Sequence, residues 1–272
     1  MNQIPMKRRT FVKASLVTSS AAGLLSPLNQ ASAQANPRQN ASREFYELRI
    51  YTLKSGKQQK MVESYFQNAA IPAFNRLGSK AIGVFTEYLP QGFTKLVAVI
   101  PFNSLEDYFN APDKLAGDSA YQQASADYLN AQATDPAYER IESSLLKSFS
   151  NMPKLEAPEK KPRIFELRRY ESHNETAGKK KIEMFNEGGE IAIFKRVGLT
   201  PVFFGETLIG PMRPNLTYML TFDSMEEHDQ NWKTFGSDPE WKKISSMPEY
   251  ANARIVSNIT RTFLIPTAFS QI

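Results

Sequence analysis

The chain repeats itself at a spacing of about 120 residues, and this repeat limits the fold more than any other feature of the sequence. Four segments recur in the same order: YELRIY at 46–51 as FELRRY at 165–170, IPAFNRLG at 71–78 as IAIFKRVG at 191–198, FTE at 85–87 as FGE at 204–206, and FNSLE at 102–106 as FDSME at 222–226. A repeat of this kind indicates that one supersecondary unit has been duplicated. We therefore expect both copies to have the same fold.

The apolar runs and turn residues of each copy predict the order strand, helix, strand, strand, helix, strand. In the first copy the predicted elements are a strand over 45–53, a helix over 57–77, strands over 81–89 and 94–102, helical stretches from Ser104 and over 119–131, and a strand over 138–149. Gly78 ends the first helix, Pro90-Gln91-Gly92 forms a hairpin turn, and Ser104 caps the second helix. This order is typical of the ferredoxin-like arrangement in the α+β class, an antiparallel sheet with helices on one face.

The duplication divides the 272-residue chain into two tandem domains, which we place at 36–149 and 163–272. Residues 150–162 between them carry three prolines among glutamates and lysines, a composition typical of a solvated linker. A chain of this length buries enough surface to fold without disulfide bonds, and it contains no cysteine.

The first 35 residues predict a twin-arginine signal peptide. The basic run at 7–13 contains two adjacent arginines, a mildly apolar stretch over 14–28 follows, and Ala31-Ser32-Ala33 forms a small-residue cleavage site. Cleavage after Ala35 fits the pattern equally well. Because the apolar stretch is too short and too polar for a membrane span of about 20 residues, we expect export to the periplasm without stable membrane insertion.

The net charge of +5 belongs mostly to this N-terminal segment, and the rest of the chain is close to neutral. We therefore expect no nucleic-acid partner. The lack of cysteine excludes thiolate nucleophiles and iron–sulfur clusters, and two histidines provide few ligands for a metal ion. Phosphate-binding, dinucleotide-binding and metalloprotease motifs are missing from the sequence. We therefore predict neither a metal nor a cofactor.

The repeated motifs resemble those of the NIPSNAP family. They are the Tyr-Glu-Leu-Arg-Ile-Tyr opening, the Phe-x-Arg-x-Gly helix end and the Phe-(Asn/Asp)-Ser-(Leu/Met)-Glu segment, and the resemblance covers both copies from about 45 to 263. It implies a dimeric α+β barrel, here with both halves in one chain. It implies no particular activity, because proteins that share this barrel include cofactor-independent monooxygenases, stress-response proteins and haem-degrading enzymes.

Strand alternation places the repeated charged residues of each copy on one face of its sheet. The members of this charged face are Glu47, Arg49, Tyr51, Glu166, Arg168 and Tyr170. The opposite face of the first strand carries Tyr46, Leu48 and Ile50. We predict that this apolar face lies beneath the helices and that the charged face lines the barrel interior, where the two sheets meet.

Two interpretations of the charged face remain open. In the first, each glutamate and arginine form a buried structural ion pair across the sheets, and a tyrosine hydroxyl completes the hydrogen bonding that such a pair needs. In the second, the six side chains bind a ligand: the arginines take an anionic or carbonyl group and the tyrosines orient it. Glu87 or Glu206 would then accept a proton from the ligand.

The two histidines give weaker signals. His173 follows the first strand of the second copy in a loop that we expect at the barrel mouth, and it is a further candidate catalytic residue. His228 lies on a predicted helix among acidic residues, so we expect it to be solvated and not bound to a metal. The apolar tail from Phe263 to Ile272 either packs onto a neighbouring subunit or frays.

These patterns predict an exported protein that binds a small, partly apolar ligand with an anionic or carbonyl group in the barrel cavity, or converts it without a cofactor. The alternative is a structural or protein-interaction module whose barrel is filled by side chains. An interior cavity of several hundred Å³ bordered by the charged face would favour the first prediction. The identity of the ligand, the reaction and the formation of a homo-oligomer stay open.

Overall fold

The computed structural model of the protein describes residues 42–272, so the predicted signal peptide at 1–35 lies outside the described residues. The described chain forms a closed barrel of eight antiparallel strands with helices on its outside. The strands are β1 (Phe45–Leu53), β2 (Gly83–Glu87), β3 (Thr94–Phe102), β4 (Arg140–Ser148), β5 (Ile164–Glu171), β6 (Thr200–Ile209), β7 (Asn215–Phe222) and β8 (Asn258–Pro266).

The order of strands around the barrel is β1-β3-β2-β8-β5-β7-β6-β4. Strands β1 to β4, the first half, form one ferredoxin-like sheet, and β5 to β8, the second half, form another. The halves join at two seams, where β2 pairs with β8 and β4 pairs with β6. The predicted α+β fold, two ferredoxin-like units closed into one barrel, is confirmed.

The helices of the first half are α1 (Gly56–Tyr65), a π-helical turn (Phe66–Ala70), α2 (Ile71–Arg76), α3 (Leu105–Ala116), α4 (Ser119–Ala124) and α5 (Ala126–Leu129). Those of the second half are α6 (Glu175–Asn186), α7 (Glu190–Arg196), α8 (Met225–Ser237), α9 (Pro239–Ser245), a 3₁₀ turn (Pro248–Tyr250) and α10 (Asn252–Ile255). None of these described helices is both long and apolar enough to cross a membrane.

Helices α3 and α8 are the same element of the repeat, and their caps fix the correspondence between their residues. Ser104 precedes α3 and its hydroxyl accepts a hydrogen bond from the amide of Asp107 at 3.0 Å. Ser224 precedes α8 and accepts in the same way from the amide of Glu227 at 3.2 Å. Because a capped helix begins at a defined residue, each position of α3 has a counterpart about 120 residues later in α8.

The apolar face of each sheet fills the barrel, which is the reverse of the predicted orientation. Tyr46 and Leu48 pack inside the barrel against Phe165 and Leu167 of the other half. The charged face of each sheet, which includes Tyr51 and Tyr170, lies beneath the helices instead. A closed barrel surrounds its contents with strands on every side, so the interior is the place where apolar side chains lose most contact with water.

The segments predicted as a tail and a linker both contribute to the core inside the barrel. After β8, Gln271 donates its amide proton to the carbonyl of Ile82 at 2.9 Å, and Ile272 is buried in the barrel core. Leu155 of the linker packs against the same core. The tail therefore packs on its own chain and neither frays nor needs a neighbouring subunit, and the linker is not simply solvated.

Candidate functional site

Glu47 and Arg49 of β1 form a bidentate ion pair beneath the helices of the first half. The guanidinium donates from Nε to Oε1 at 2.7 Å and from Nη2 to Oε2 at 2.8 Å. The hydroxyl of Ser143 on β4 donates to Oε1 at 2.8 Å. Two residues apart on one strand, the partners share a face, so the pair forms within one sheet and not across the barrel as predicted.

A pocket of about 220 Å³ opens over this ion pair, between the sheet and α3. We name it the α3 pocket, and it is lined by Glu47, Arg49, Phe74, Phe102, Tyr108, Phe109, Ala111, Pro112 and Leu115. Tyr108, Ala111, Pro112 and Leu115 occupy positions i, i+3, i+4 and i+7 of the helix, which places them on one face. Phe109 and Pro112 are exposed, so they form the rim at which the pocket meets solvent.

The second half has the same ion pair, but its surroundings are different. Arg168 donates from Nη1 to Oε1 of Glu166 at 2.9 Å, and from Nη2 to the hydroxyl of Tyr170 at 3.0 Å. The indole of Trp232 on α8 lies over the guanidinium, 4.4 Å from Cζ to the ring centroid, and donates from Nε1 to Oε2 of Glu166 at 3.0 Å. Trp232 therefore covers the ion pair of the second half.

Trp232 and Pro112 are counterparts, since each is the eighth residue after its capping serine. A proline ring is far smaller than an indole and carries no N–H group. The pocket over Glu47 and Arg49 is therefore open where the matching space in the second half is filled. The difference between Pro112 and Trp232 becomes visible in the sequence when the two helices are aligned from Ser104 and Ser224.

His228, expected to be solvated, is buried with only 5% of its surface exposed. Its Nε2 lies 3.4 Å from Oε2 of Glu166, and its Nδ1 lies 2.8 Å from Oδ1 of Asp229. The counterpart of His228 in α3 is Tyr108, which lines the α3 pocket. The prediction of a solvated histidine failed because the inner face of α8 packs on the charged face of the sheet.

The repeated tyrosines belong to the helix-side cores of the two halves. Tyr51 is fully buried and accepts a hydrogen bond from the hydroxyl of Tyr128 at 3.3 Å. The hydroxyl of Tyr170 accepts hydrogen bonds from the guanidinium of Arg168 and, at 3.4 Å, from the hydroxyl of Tyr218. The interpretation as an ion pair completed by a tyrosine hydroxyl therefore describes the second half, within one sheet.

The three predicted catalytic residues lie apart from the α3 pocket. His173 is exposed in the loop that follows β5. Glu87 accepts a hydrogen bond from the amide of Lys95 at 3.0 Å, and Glu206 borders a groove beside α6. The structure therefore does not bring these residues together with the Glu47–Arg49 pair.

The barrel interior contains a separate cavity of about 420 Å³ at the end opposite the tail. Five of its fifteen lining residues are threonines, and its charged residues are Lys95, Glu142 and Arg169. Arg169 donates from Nε to Glu171 at 3.1 Å. The predicted barrel cavity is present, but the charged residues predicted to border it lie on the other side of the sheets.

The ion pair sets the electrostatics of the α3 pocket. Burial is the largest single effect and lowers the pKa of Arg49, but the charge and hydrogen bonds of Glu47, with smaller contributions from Tyr51 and Tyr65, together hold this pKa well above its usual value. Partial burial, followed by the charge of Glu47, raises the pKa of Tyr108. At neutral pH the pocket therefore presents a paired carboxylate and guanidinium beside a neutral phenol. Among the described residues, no group of three histidine, aspartate or glutamate side chains is arranged to hold a metal ion.

Comparison with solved structures finds the same barrel in distant proteins. A monooxygenase-like protein from Fusobacterium nucleatum subsp. nucleatum is 10% identical, with a TM-score of 0.55 over 83% of this chain and 93% of its own. One from Lactobacillus acidophilus is 8% identical, with a TM-score of 0.53 over 82% of this chain and 94% of its own. At these identities the likeness establishes the fold and not the activity.

The halves also match a family individually. A NIPSNAP family protein from Agrobacterium tumefaciens is 21% identical and covers 40% of this chain and 96% of its own, with a TM-score of 0.35. A search of curated proteins finds no significant match. The NIPSNAP family model matches residues 46–151 and again residues 165–271, which together are most of the chain. The protein belongs to the NIPSNAP family and carries two copies of its domain.

Proposed function

We propose that the protein binds a small, partly apolar molecule in the α3 pocket of its first half. The pocket combines aromatic and aliphatic walls with one convergent polar pair, the composition typical of small-molecule sites. The Glu47–Arg49 pair anchors the polar group of the ligand, and Phe74, Phe102 and Leu115 contact its apolar part.

The observation that carries this proposal is the contrast between the two halves. The same buried ion pair is covered by Trp232 in the second half and left open beside Pro112 in the first. If the ion pair were only structural, covering it in both halves would improve its hydrogen bonding and exclude water. An open apolar pocket over one pair, in a fold that fills its counterpart, is the arrangement that a ligand requires.

The hydrogen bonds of the pair favour binding over catalysis. Glu47 already accepts from Arg49 and Ser143, so its carboxylate is not a free base. Its negative charge also neutralises Arg49, which removes the electrostatic preference for an anionic ligand. We therefore favour a neutral ligand whose polar group, such as a carbonyl or a hydroxyl, hydrogen-bonds at the pair.

Native mass spectrometry of the protein purified from its own cells tests this proposal. Wild type should retain a small molecule, and Pro112→Trp should lose it, because the new indole fills the pocket. Lys114→Trp is the matched control, since it adds an indole to an exposed position of the same helix. Equal retention by wild type and Pro112→Trp, or no retained molecule in either, would contradict the proposal.

We also propose that the protein is exported by the twin-arginine pathway. The support is the sequence of residues 7–33, in which paired arginines, an apolar stretch and a small-residue cleavage site follow in the required order. Replacing Arg8 and Arg9 together by lysine should retain the uncleaved precursor in the cytoplasm. Cell fractionation tests this, and an unchanged periplasmic fraction would contradict it.

A further inference from the structure

We infer that the ligand of the α3 pocket is a planar aromatic molecule of one or two fused rings that carries an N–H or O–H donor on its edge. This inference rests on the proposed function and names the class of ligand. It comes from the second half, where the side chain of Trp232 occupies the equivalent space. The protein therefore contains its own template for the molecule that the first half binds.

The indole of Trp232 and the α3 pocket are surrounded by equivalent positions of the repeat. In the second half the ring contacts Phe194, His228 and Phe235, with centroid separations of 5.6, 6.3 and 5.6 Å. Their counterparts in the first half are Phe74, Tyr108 and Leu115, and all three line the pocket. With the glutamate and arginine included, these five neighbours of the indole each have a counterpart in the pocket wall.

The polar end of the template is a hydrogen-bond donor. The indole Nε1 donates to Oε2 of Glu166 at 3.0 Å. The corresponding atom, Oε2 of Glu47, accepts from Nη2 of Arg49, and a carboxylate oxygen has a second lone pair for another donor. Because this acceptor is ionised, a donor from the ligand forms a charge-assisted bond with it, whereas a carbonyl group could hydrogen-bond only to the guanidinium of Arg49.

The flat face of the template stacks on a guanidinium. Trp232 lies 4.4 Å from Cζ of Arg168, within the range of a cation–π contact. Arg49 occupies the equivalent position on β1 and lines the pocket with its side chain 18% exposed. An aromatic ligand gains this contact and an aliphatic ligand of the same size does not.

The volume of the pocket limits the size of the ring system. At about 220 Å³ it is smaller than the roughly 300–1,000 Å³ of sites that enclose drug-sized ligands. It therefore suits one ring or two fused rings. Phe109 at the exposed rim offers a further aromatic surface to a ligand that enters from solvent.

The experiment compares indole with benzofuran, a ring system of nearly the same shape in which an oxygen replaces the N–H group. Binding to the full mature protein is followed by chemical shifts of the amides of α3, which localise the ligand to the pocket. Loss of one hydrogen bond to a charged group should weaken benzofuran by about tenfold or more relative to indole. Pro112→Trp should abolish binding of indole, and Lys114→Trp should leave its Kd unchanged.

The outcomes separate this inference from the proposed function. If benzofuran binds as tightly as indole, and Pro112→Trp abolishes the binding of both, the pocket is a binding site but its ligand does not need a hydrogen-bond donor. If cyclohexanol binds in the pocket more tightly than indole, the ligand does not need to be aromatic. If no probe perturbs α3 but native mass spectrometry finds a retained molecule that Pro112→Trp loses, only the inferred ligand class fails. Absence of both kinds of binding overturns the proposed function as well.

Discussion

Nζ of Lys181 lies 2.9 Å from Oε2 of Glu190, and the two side chains are only 2% and 3% exposed. The pair joins α6 to α7 in the second half, while the equivalent positions in the first half are Val62 and Ala70. Three aromatic rings face the ammonium group, the nearest being that of Phe185 at 4.5 Å. The same fold therefore tolerates either a buried ion pair or two apolar side chains at this place.

We expect Glu190→Gln to destabilise the protein by about 3–5 kcal/mol, because it leaves the buried ammonium group of Lys181 without a counter-charge. Replacing both residues, as Lys181→Met with Glu190→Leu, should restore stability to within about 2 kcal/mol of wild type, since it removes both charges. Urea denaturation measures the free energy of unfolding. If Glu190→Gln were as stable as wild type, the buried ammonium group of Lys181 would not need its counter-charge.

The acid stability of the protein should depend on a second repeated feature, an aspartate that caps a helix and pairs with an arginine. Hydrogen bonds from Arg196 and from the amide of Trp241 lower the pKa of Asp238, and the amide of Tyr121, followed by Arg76, lowers that of Asp118. Because the folded pKa is below the unfolded value of about 3.9, each carboxylate stabilises the fold above that pH. This stability is lost as the pH falls through the folded pKa.

An NMR titration of the side-chain carboxyl carbons tests this assignment. Arg196→Gln should raise the pKa of Asp238 and leave that of Asp118 unchanged, and Arg76→Gln should do the reverse. The two arginine variants thus serve as controls for each other. A titration in which neither variant moves its own partner would indicate that the backbone amides alone set both values.

Removing the indole of Trp232 should open a second pocket, over the ion pair of the second half. Trp232→Ala should cost up to about 3 kcal/mol, because the indole is only partly buried, and should leave a space bordered by Glu166 and Arg168. In a Pro112→Trp background, where the α3 pocket is closed, added indole should raise the melting temperature of this variant. Benzofuran should raise it less.

The background variant alone, with Trp232 intact, is the control for this rescue. A ligand that binds only the folded state stabilises it in proportion to its occupancy of the site. If indole raised the melting temperature of both proteins equally, it would be binding elsewhere and not in the space left by Trp232.

The seam between β4 and β6 should be sensitive to one added methyl group. A Cβ atom at Gly205 would lie 2.8 Å from the Cβ atom of Leu146, a residue of the barrel core. We expect Gly205→Ala to destabilise the protein by about 1–3 kcal/mol through overpacking. In a double-mutant cycle, Leu146→Ala should relieve part of this penalty, because it removes the Cδ2 and Cγ atoms that the new methyl group would meet at 3.0 and 3.5 Å and leaves Cβ in place. Additive losses would place the strain elsewhere.

The order of elements was predictable because it depends on local signals. Gly78 and the Pro90–Gly92 turn mark where a helix and a strand end, and the capping serines mark where helices begin. These signals act over a few residues. The first helix, predicted as one stretch over 57–77, is interrupted by a π-helical turn at Phe66–Ala70. That interruption carries no local signal that we recognised.

The candidate site was predictable only in part. Glu47 and Arg49 were identified by their repetition in Glu166 and Arg168, and alternation correctly placed each pair on one face of a strand. His173 was selected by its loop position near the expected barrel mouth, and Glu87 and Glu206 as repeated carboxylates that could accept a proton. The fold separates all three from the pair. Pro112 was overlooked, because its meaning depends on Trp232, which contacts the ion pair only in the folded protein.

The sequence by itself determined the duplication, the order of elements in each copy and the grouping of glutamate, arginine and tyrosine on one face of a strand. Tertiary structure decided which face is inside. Alternation with period two separates the faces of a strand but does not label them, and here both were partly apolar. The neighbouring residues in the folded protein decide which face is inside. Tyr46 and Leu48 find mostly apolar neighbours inside the closed barrel, whereas the charged residues find hydrogen-bond partners on the helix side of the sheets, such as Trp232.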